Sequence, residues 1–287
     1  MIKIVECPRD AMQGLSHFIP TEVKATYLNQ LLKVGFDTLD FGSFVSPQVI
    51  PQMRDTAEVL ARLDLGVNST KLLAIVANRR GAETALGFKE IYFLGYPLSI
   101  SETFQLRNTR KTIAESWKLL EEMQNLCVQG GKTLFVYLSM AFGNPYQDPH
   151  NPEIAEEFAQ KLRDLGIRYI SLADTIGSST PENIDQLFRT LIPRFPEVEF
   201  SAHLHATPQQ VLTKMEAAYQ AGCRRFEGAL LGFGGCPMAQ DDLVGNMPTE
   251  QIITYLDQIQ AKLSINKEAF EKARLEATQV FFHEAMR

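Results

Sequence analysis

A (β/α)8 TIM barrel carrying an additional C-terminal helix is the fold class the sequence predicts, on three observations. Short β-branched or aromatic runs alternate with helical patterns, and the alternation repeats eight times. Several of the runs are apolar on both faces, as a parallel sheet buried under helices requires. No composition break interrupts the series, so residues 1–287 are expected to form one barrel domain, a length such barrels often reach. An open doubly wound sheet shares the alternation, but a count of eight and the lack of a Gly-x-Gly-x-x-Gly turn after the first strand argue against it.

Taken in order, strands are predicted over Ile2 to Glu6, Thr38 to Gly42, Lys71 to Ala77, Glu90 to Leu94, Thr133 to Met140, Tyr169 to Ala173, Glu199 to His203 and Arg225 to Leu230. The helices between them have recognisable starts. Pro20-Thr-Glu opens Val23 to Val34, Pro51 opens Gln52 to Leu63, Asn78 precedes Arg79 to Leu86, and Asn108 precedes one long helix from Thr109 to Gln129. Asn151-Pro-Glu opens Ile154 to Leu165, Thr180-Pro-Glu opens Asn183 to Leu191, Thr207-Pro opens Gln209 to Ala221, and Thr249-Glu opens Gln251 to Leu263. Small oxygen-bearing residues followed by Pro or Glu satisfy the exposed first-turn amides. Gly35, Gly130, Gly166 and Gly222 are placed to end helices in a left-handed conformation. The additional terminal helix is predicted over Asn266 to Met286.

Composition excludes several function classes. The 45% apolar and 22% charged content is that of a globular chain, and apolar stretches such as Thr133 to Met140 are too short to span a bilayer. The N-terminal residues read as a strand rather than a targeting peptide, so a cytoplasmic location is expected. A formal charge of −6 without a clustered Lys/Arg run disfavours nucleic acid and anionic membranes as partners. Cys7, Cys127, Cys223 and Cys236 are scattered, which suits reduced thiols rather than a disulfide framework or a Cys-x-x-Cys site.

In such a barrel the chemistry collects where strands end at their carboxyl side. The first strand ends in Cys7-Pro-Arg9-Asp10, the second carries Asp40 and leads to Ser43, and the sixth ends in Asp174-Thr175. The seventh ends in His203-Leu-His205, and the eighth runs into Gly232-Phe-Gly234-Gly235-Cys236 and Asn246. Two histidines one residue apart on a strand share a face. They are either half of a divalent-metal site or two polar residues hydrogen-bonded to nearby carbonyls. Asp10 would complete the first option with a carboxylate oxygen, leaving positions open for substrate oxygens and water, and Asn246 is a possible fourth ligand. With few or no thiolates close by, Mg2+ or Mn2+ fits better than structural zinc. Arg9 is a salt-bridge partner of Asp10 or a stabiliser of a developing oxyanion. Asp40 and Asp174 are helix caps or acceptors behind the histidines. Cys236, on a glycine-rich turn near a cation, is assigned proton transfer, since a covalent role would need a histidine free of ligand duty.

Together these residues resemble the 3-hydroxy-3-methylglutaryl-CoA lyase family, within a metal-dependent barrel superfamily that also holds isopropylmalate and homocitrate synthases. The resemblance runs from Pro8-Arg-Asp10 with Gln13, through Ser43-Phe-Val-Ser-Pro47, Pro51-Gln-Met53 and Ser171-Leu-Ala-Asp-Thr-Ile-Gly177, to His203-Leu-His205 and Gly232-Phe-Gly-Gly-Cys-Pro237. It implies that Asp10, His203, His205 and Asn246 hold a divalent ion, that Arg9 stabilises an enolate, and that Cys236 moves a proton. Asp40 and Glu250 fall where the family has catalytic carboxylates. Gln13, Ser43, Asp174, Thr175, Gly234 and Gly235 would bind substrate or support the ligands. The implied reaction is cleavage of a hydroxyacyl-CoA, or of a related hydroxy acid, by deprotonation of a tertiary hydroxyl, with acetoacetate and acetyl-CoA as products. A homodimer is the implied assembly. The chain departs from the family at Asp40, where the family has Glu, at Ala206 after the second histidine, at Ala11, and over Gly14 to Pro20. A Claisen-condensing synthase, a 4-hydroxy-2-oxo acid aldolase and a catalytically silent binding barrel are the competing expectations.

Overall fold

Eight parallel strands close on themselves in chain order in the computed structural model, which describes residues 1–66, 69–235 and 244–282. The strands are β1 (Lys3–Glu6), β2 (Thr38–Ser43), β3 (Lys71–Ile75), β4 (Ile91–Ser99), β5 (Thr133–Ser139), β6 (Tyr169–Ala173), β7 (Glu199–His203) and β8 (Arg225–Gly228). Closure is made by β1 against β8, with Ile4 opposite Phe226 and Glu6 opposite Gly228. Around them run α1 (Pro8–Gln13), α2 (Thr21–Leu32), α3 (Thr56–Leu60), α4 (Arg79–Leu86), α5 (Glu102–Thr109), α6 (Ile113–Gln129), α7 (Pro152–Asp164), α8 (Pro181–Arg194), α9 (Val211–Gln220), α10 (Thr249–Gln258) and α11 (Lys267–Phe282). The fold class is the expected (β/α)8 barrel with a terminal helix. Among the described residues, no helix is long and apolar enough to cross a membrane.

Three of the predicted caps are formed, whereas the helix read after Thr207-Pro starts at Val211 behind Gln210 without a side-chain cap. Asn78, Asn151 and Thr180 each accept a backbone N–H of the helix they precede. Four readings are corrected. The long helix from Thr109 is two, because Arg110 takes a left-handed conformation (φ 57°) and both Ser101 and Thr112 cap helices of their own. The helix from Gln52 is a 3-10 turn (Pro51–Met53) followed by the short α3. Strand β4 runs on past Leu94 to Ser99. Gly95 lies inside this strand, and a Cβ there would lie 2.6 Å from Ile75 Cδ1, so the glycine answers to crowding inside the barrel rather than to a turn. Gly35, Gly166 and Gly222 have positive φ as expected, but Gly130 does not and its neighbour Gly131 does.

Two apolar layers hold these elements. The larger lies between barrel and helices and contains residues such as Leu28, Phe41, Leu94, Leu138, Phe188 and Leu256. The smaller fills the barrel interior with Leu73, Ile75, Phe93, Phe135 and Tyr137. At the amino-terminal end of the strands the interior is sealed by Arg225, which is buried. Its guanidinium pairs with Asp37 (2.7 Å) and Glu199 (3.1 Å) and lies 5.6–5.9 Å from the ring centres of Phe93, Phe135 and Tyr169. Chemistry is therefore left to the opposite rim.

Candidate active site

At that rim β1 passes almost directly into α1, and Pro8 at the first helical position makes the turn with no amide to satisfy. Helical spacing then puts Arg9, Asp10 and Gln13 side by side. Arg9 donates from Nε to both oxygens of Asp40 (3.2 and 3.0 Å), and from Nη1 to Asp10 Oδ1 (3.0 Å) and Gln13 Oε1 (2.9 Å). Gln13 donates back to Asp10 Oδ1 at 2.7 Å. Burial works against the Arg9 charge, but Asp40 and Asp10 outweigh it and raise its pKa. Asp40, fully buried on β2, is lifted to about 6 by that burial, against the pull of Arg9. Both its oxygens are engaged by the guanidinium, so it serves here as the counter-charge that orients Arg9.

Across the rim, β7 ends in His203, and residues 244–247 return beside it. His205 forms an isolated antiparallel bridge with Asn246. His203 Nε2 and His205 Nε2 face one another at 3.4 Å, and one donor atom from each of Asp10, His203 and His205 falls within 4.8 Å of the others. Behind them Glu227, near the end of β8, meets His203 Nδ1 at 3.1 Å and accepts from Ser201 Oγ at 2.6 Å. Asn246 donates its amide to Asp10 Oδ2 (2.6 Å) and to the Phe233 carbonyl (3.0 Å), which leaves its oxygen free for another partner.

The donor set fits a divalent cation. Burial drives the His205 pKa down to about 4, and His203 adds to that effect. For His203 burial acts the same way, but Glu227 and Asp10 outweigh it and raise the pKa. Burial opposes ionisation of Asp10 as well, and is outweighed by Arg9 and the imidazoles, so its pKa is lowered. Two ring nitrogens at this separation, flanked by the carboxylates of Asp10 and Glu227, call for a positive charge between them, whether a proton or a metal. A second group, Cys7, His203 and Glu227, shares one histidine, but burial raises the Cys7 pKa well above normal, so the thiol stays protonated and ligates poorly.

A cavity of about 140 Å3 opens here, its wall made of polar groups of Arg9, Asp10, Gln13, Thr175, His203 and His205 together with apolar Val49, Ile50, Ile75, Pro97 and Phe104. Other expected site residues lie just outside it. Ser43 is buried and accepts from Val45 N at 3.1 Å, holding the loop that lines the cavity. Asp174 is paired with the buried Lys214 Nζ (3.0 Å) and accepts from Ser179, rather than meeting either histidine. Glu250 accepts from Leu231 N at 3.1 Å beneath the turn that follows β8. Gly234 (φ 106°) passes so close to Asn246 that a Cβ would sit 2.4 Å from its amide nitrogen, and Gly235 follows at φ 128°. Cys236 lies outside the described residues. Sequence reasoning missed Glu227, Lys214 and Glu6, yet each carried a signal: a charge inside an otherwise apolar strand or helix face has to be paired.

Residues 2–275 match the family model described as HMGL-like. The chain is 35% identical over 263 residues to a hydroxymethylglutaryl-CoA lyase of Bacillus subtilis, covering 91% of this chain and 86% of the relative. It is 31% identical over 270 residues to the mitochondrial hydroxymethylglutaryl-CoA lyase of Homo sapiens, covering 92% and 81%. Among solved structures, an HMG-CoA lyase from Acinetobacter baumannii in complex with coenzyme A and 3-methylmalate superposes with a TM-score of 0.90 at 30% identity, covering 98% of this chain and 91% of that one. The Bacillus subtilis HMG-CoA lyase structure gives 0.90 at 33% identity, covering 97% and 93%.

Proposed function

The chain belongs to the HMGL-like family, and on that premise we propose that it is a divalent-metal-dependent carbon–carbon lyase. Its substrate is 3-hydroxy-3-methylglutaryl-CoA or a closely related hydroxyacyl-CoA, and its products are acetyl-CoA and acetoacetate. The observation that carries this reading is the convergence of Arg9, Asp10, His203 and His205 on the wall of one cavity. The coenzyme A held by the Acinetobacter relative supports a thioester substrate.

Asp10, His203 and His205 would hold Mg2+ or Mn2+, with the Asn246 oxygen as a further donor. An ion there supplies Lewis acidity, which lowers the pKa of a tertiary alcohol. The residues of the chain do the rest. Asp10 is the only carboxylate on the cavity wall among the described residues, which supports it as the group that takes the hydroxyl proton. As that proton leaves, the bond between the alcohol carbon and the carbon next to the thioester breaks. The alcohol carbon becomes the ketone of acetoacetate, and the electron pair passes to an acetyl-CoA enolate. Arg9, held in place by Asp40, faces the cavity with a fixed positive charge where the enolate oxygen develops. Protonation of the enolate carbon then gives acetyl-CoA, a step assigned to Cys236. A homodimer in the cytoplasm completes the proposal.

The test is direct. Purified protein with Mg2+ or Mn2+ and 3-hydroxy-3-methylglutaryl-CoA should yield acetoacetate and acetyl-CoA in equal amounts, and chelation should stop it. Absence of both products with either ion, across a panel of hydroxyacyl-CoAs, overturns the reading.

A further inference from the structure

Helix α11 packs outside the barrel against α2, where Gln30 Nε2 donates to the Ala269 carbonyl (3.1 Å) and Asn266 N donates to the Val34 carbonyl (2.8 Å). Its last described turn reaches the turn after β8. There Phe281 stacks on Phe233 (ring centres 4.6 Å apart, planes 13°) while Phe282 meets the same ring edge-on (5.1 Å, 70°). Tyr27 of α2 meets Phe281 edge-on from the other direction at 6.0 Å. Phe233 is thus gripped by its side chain. Its carbonyl, turned the other way, accepts from the Asn246 amide whose second N–H goes to Asp10 Oδ2.

We infer that the end of α11 is a positioning device for the candidate cation site: Phe281 and Phe282 hold Phe233 so that its carbonyl orients Asn246, and Asn246 in turn orients Asp10. The physical case is continuity. A stacked aromatic pair contributes beyond its buried area. Here it fixes the backbone of a segment that contains three positive-φ glycines, Gly232, Gly234 and Gly235, and has little stiffness of its own. The close passage of Gly234 over Asn246 and Asp10 leaves no slack between clamp and site. The inference rests on the reading of Asp10 and Asn246 as part of a cation site, but the clamp itself can be read without any ion.

Phe233→Ala, Phe281→Ala, Phe281→Tyr and Phe282→Ala test it. Hydrogen exchange of the Gly234 and Gly235 amides in the ion-free protein should speed up roughly three- to tenfold in the alanine variants and stay near wild type in Phe281→Tyr. Mn2+ affinity measured by calorimetry should fall by a similar factor in the alanine variants. Phe282 is half-exposed, so Phe282→Ala keeps the test alive if Phe281→Ala does not fold. Unchanged exchange in the folded alanine variants overturns the clamp. Faster exchange in the alanine variants of a protein whose wild type binds no Mn2+ would instead leave the clamp standing and remove the cation.

Discussion

Arg9 shows how much one side chain does here, since it ties Asp40, Asp10 and Gln13 together while facing the cavity. Arg9→Gln is expected to leave bound metal unchanged and lower turnover by about two to four orders of magnitude, read from kcat beside metal content. Equal loss of both would contradict its role. Glu227 acts at one remove, on the far nitrogen of His203. Glu227→Gln should weaken Mn2+ binding by roughly 10- to 100-fold in calorimetry while the fold survives, as is usual when an acceptor behind a metal-binding histidine is changed. Because His203 holds its proton more tightly than usual in the ion-free protein, Mn2+ has to displace that proton. Binding should therefore strengthen as pH rises, and calorimetry in buffers of different ionisation enthalpy should register proton release. The convergence of Asp10, His203 and His205 was legible because strand alternation and the opening Arg-Asp pair are short-range signals. Glu227 signalled only that a buried charge needs a partner, because His203 lies 24 residues away and no local spacing pairs the two.

At the scale of elements, the site is held by side chains that cross between them. Lys214 leaves α9 to bond Asp174 after β6 and the His205 carbonyl after β7, and it is fully enclosed. Lys214→Met would strand Asp174 as a buried carboxylate without its cation, so a loss of about 3–5 kcal/mol is expected in denaturant titration, with part regained when Asp174→Asn is added. Gly234→Ala belongs at the same scale. A methyl group 2.4 Å from the Asn246 nitrogen forces the turn after β8 away from Asn246 and Asp10, and Mn2+ affinity should fall with it. Helix starts were readable at Asn78, Asn151 and Thr180, where a capping side chain is followed by a clear helical run. Helix division was not: the break at Arg110 depends on a left-handed residue that neither glycine nor proline announced. The strand end read at Leu94 fell short for the opposite reason, since only the assembled barrel shows why Gly95 continues the strand.

Considered as a whole, the molecule keeps ionisable groups at both ends of its barrel and apolar packing between them. Glu6 ties β1 to the turn after β8 and to α10, accepting from Leu230 N (2.8 Å) and Thr249 Oγ1 (2.6 Å). Burial lifts its pKa to about 8 from an ordinary 4.5. Between those values the folded chain keeps a proton that the unfolded chain has released. Stability from this group is therefore complete below about pH 4.5 and declines as pH rises through about 8. Urea midpoints should record a decline on the order of 2–4 kcal/mol between pH 5 and 9, and Glu6→Gln should flatten it. The barrel itself was legible because eight alternations admit few closed arrangements. The Arg225 seal was not, because its partners Asp37 and Glu199 are far from it in sequence. With the filled interior, that seal makes the cavity at the opposite rim a blind well. Whatever is split inside has to depart by the mouth through which it arrived, so two fragments leave in succession, the outer one first. The fragment left deeper then competes with fresh substrate, and its inhibition constant reports how long the well stays occupied.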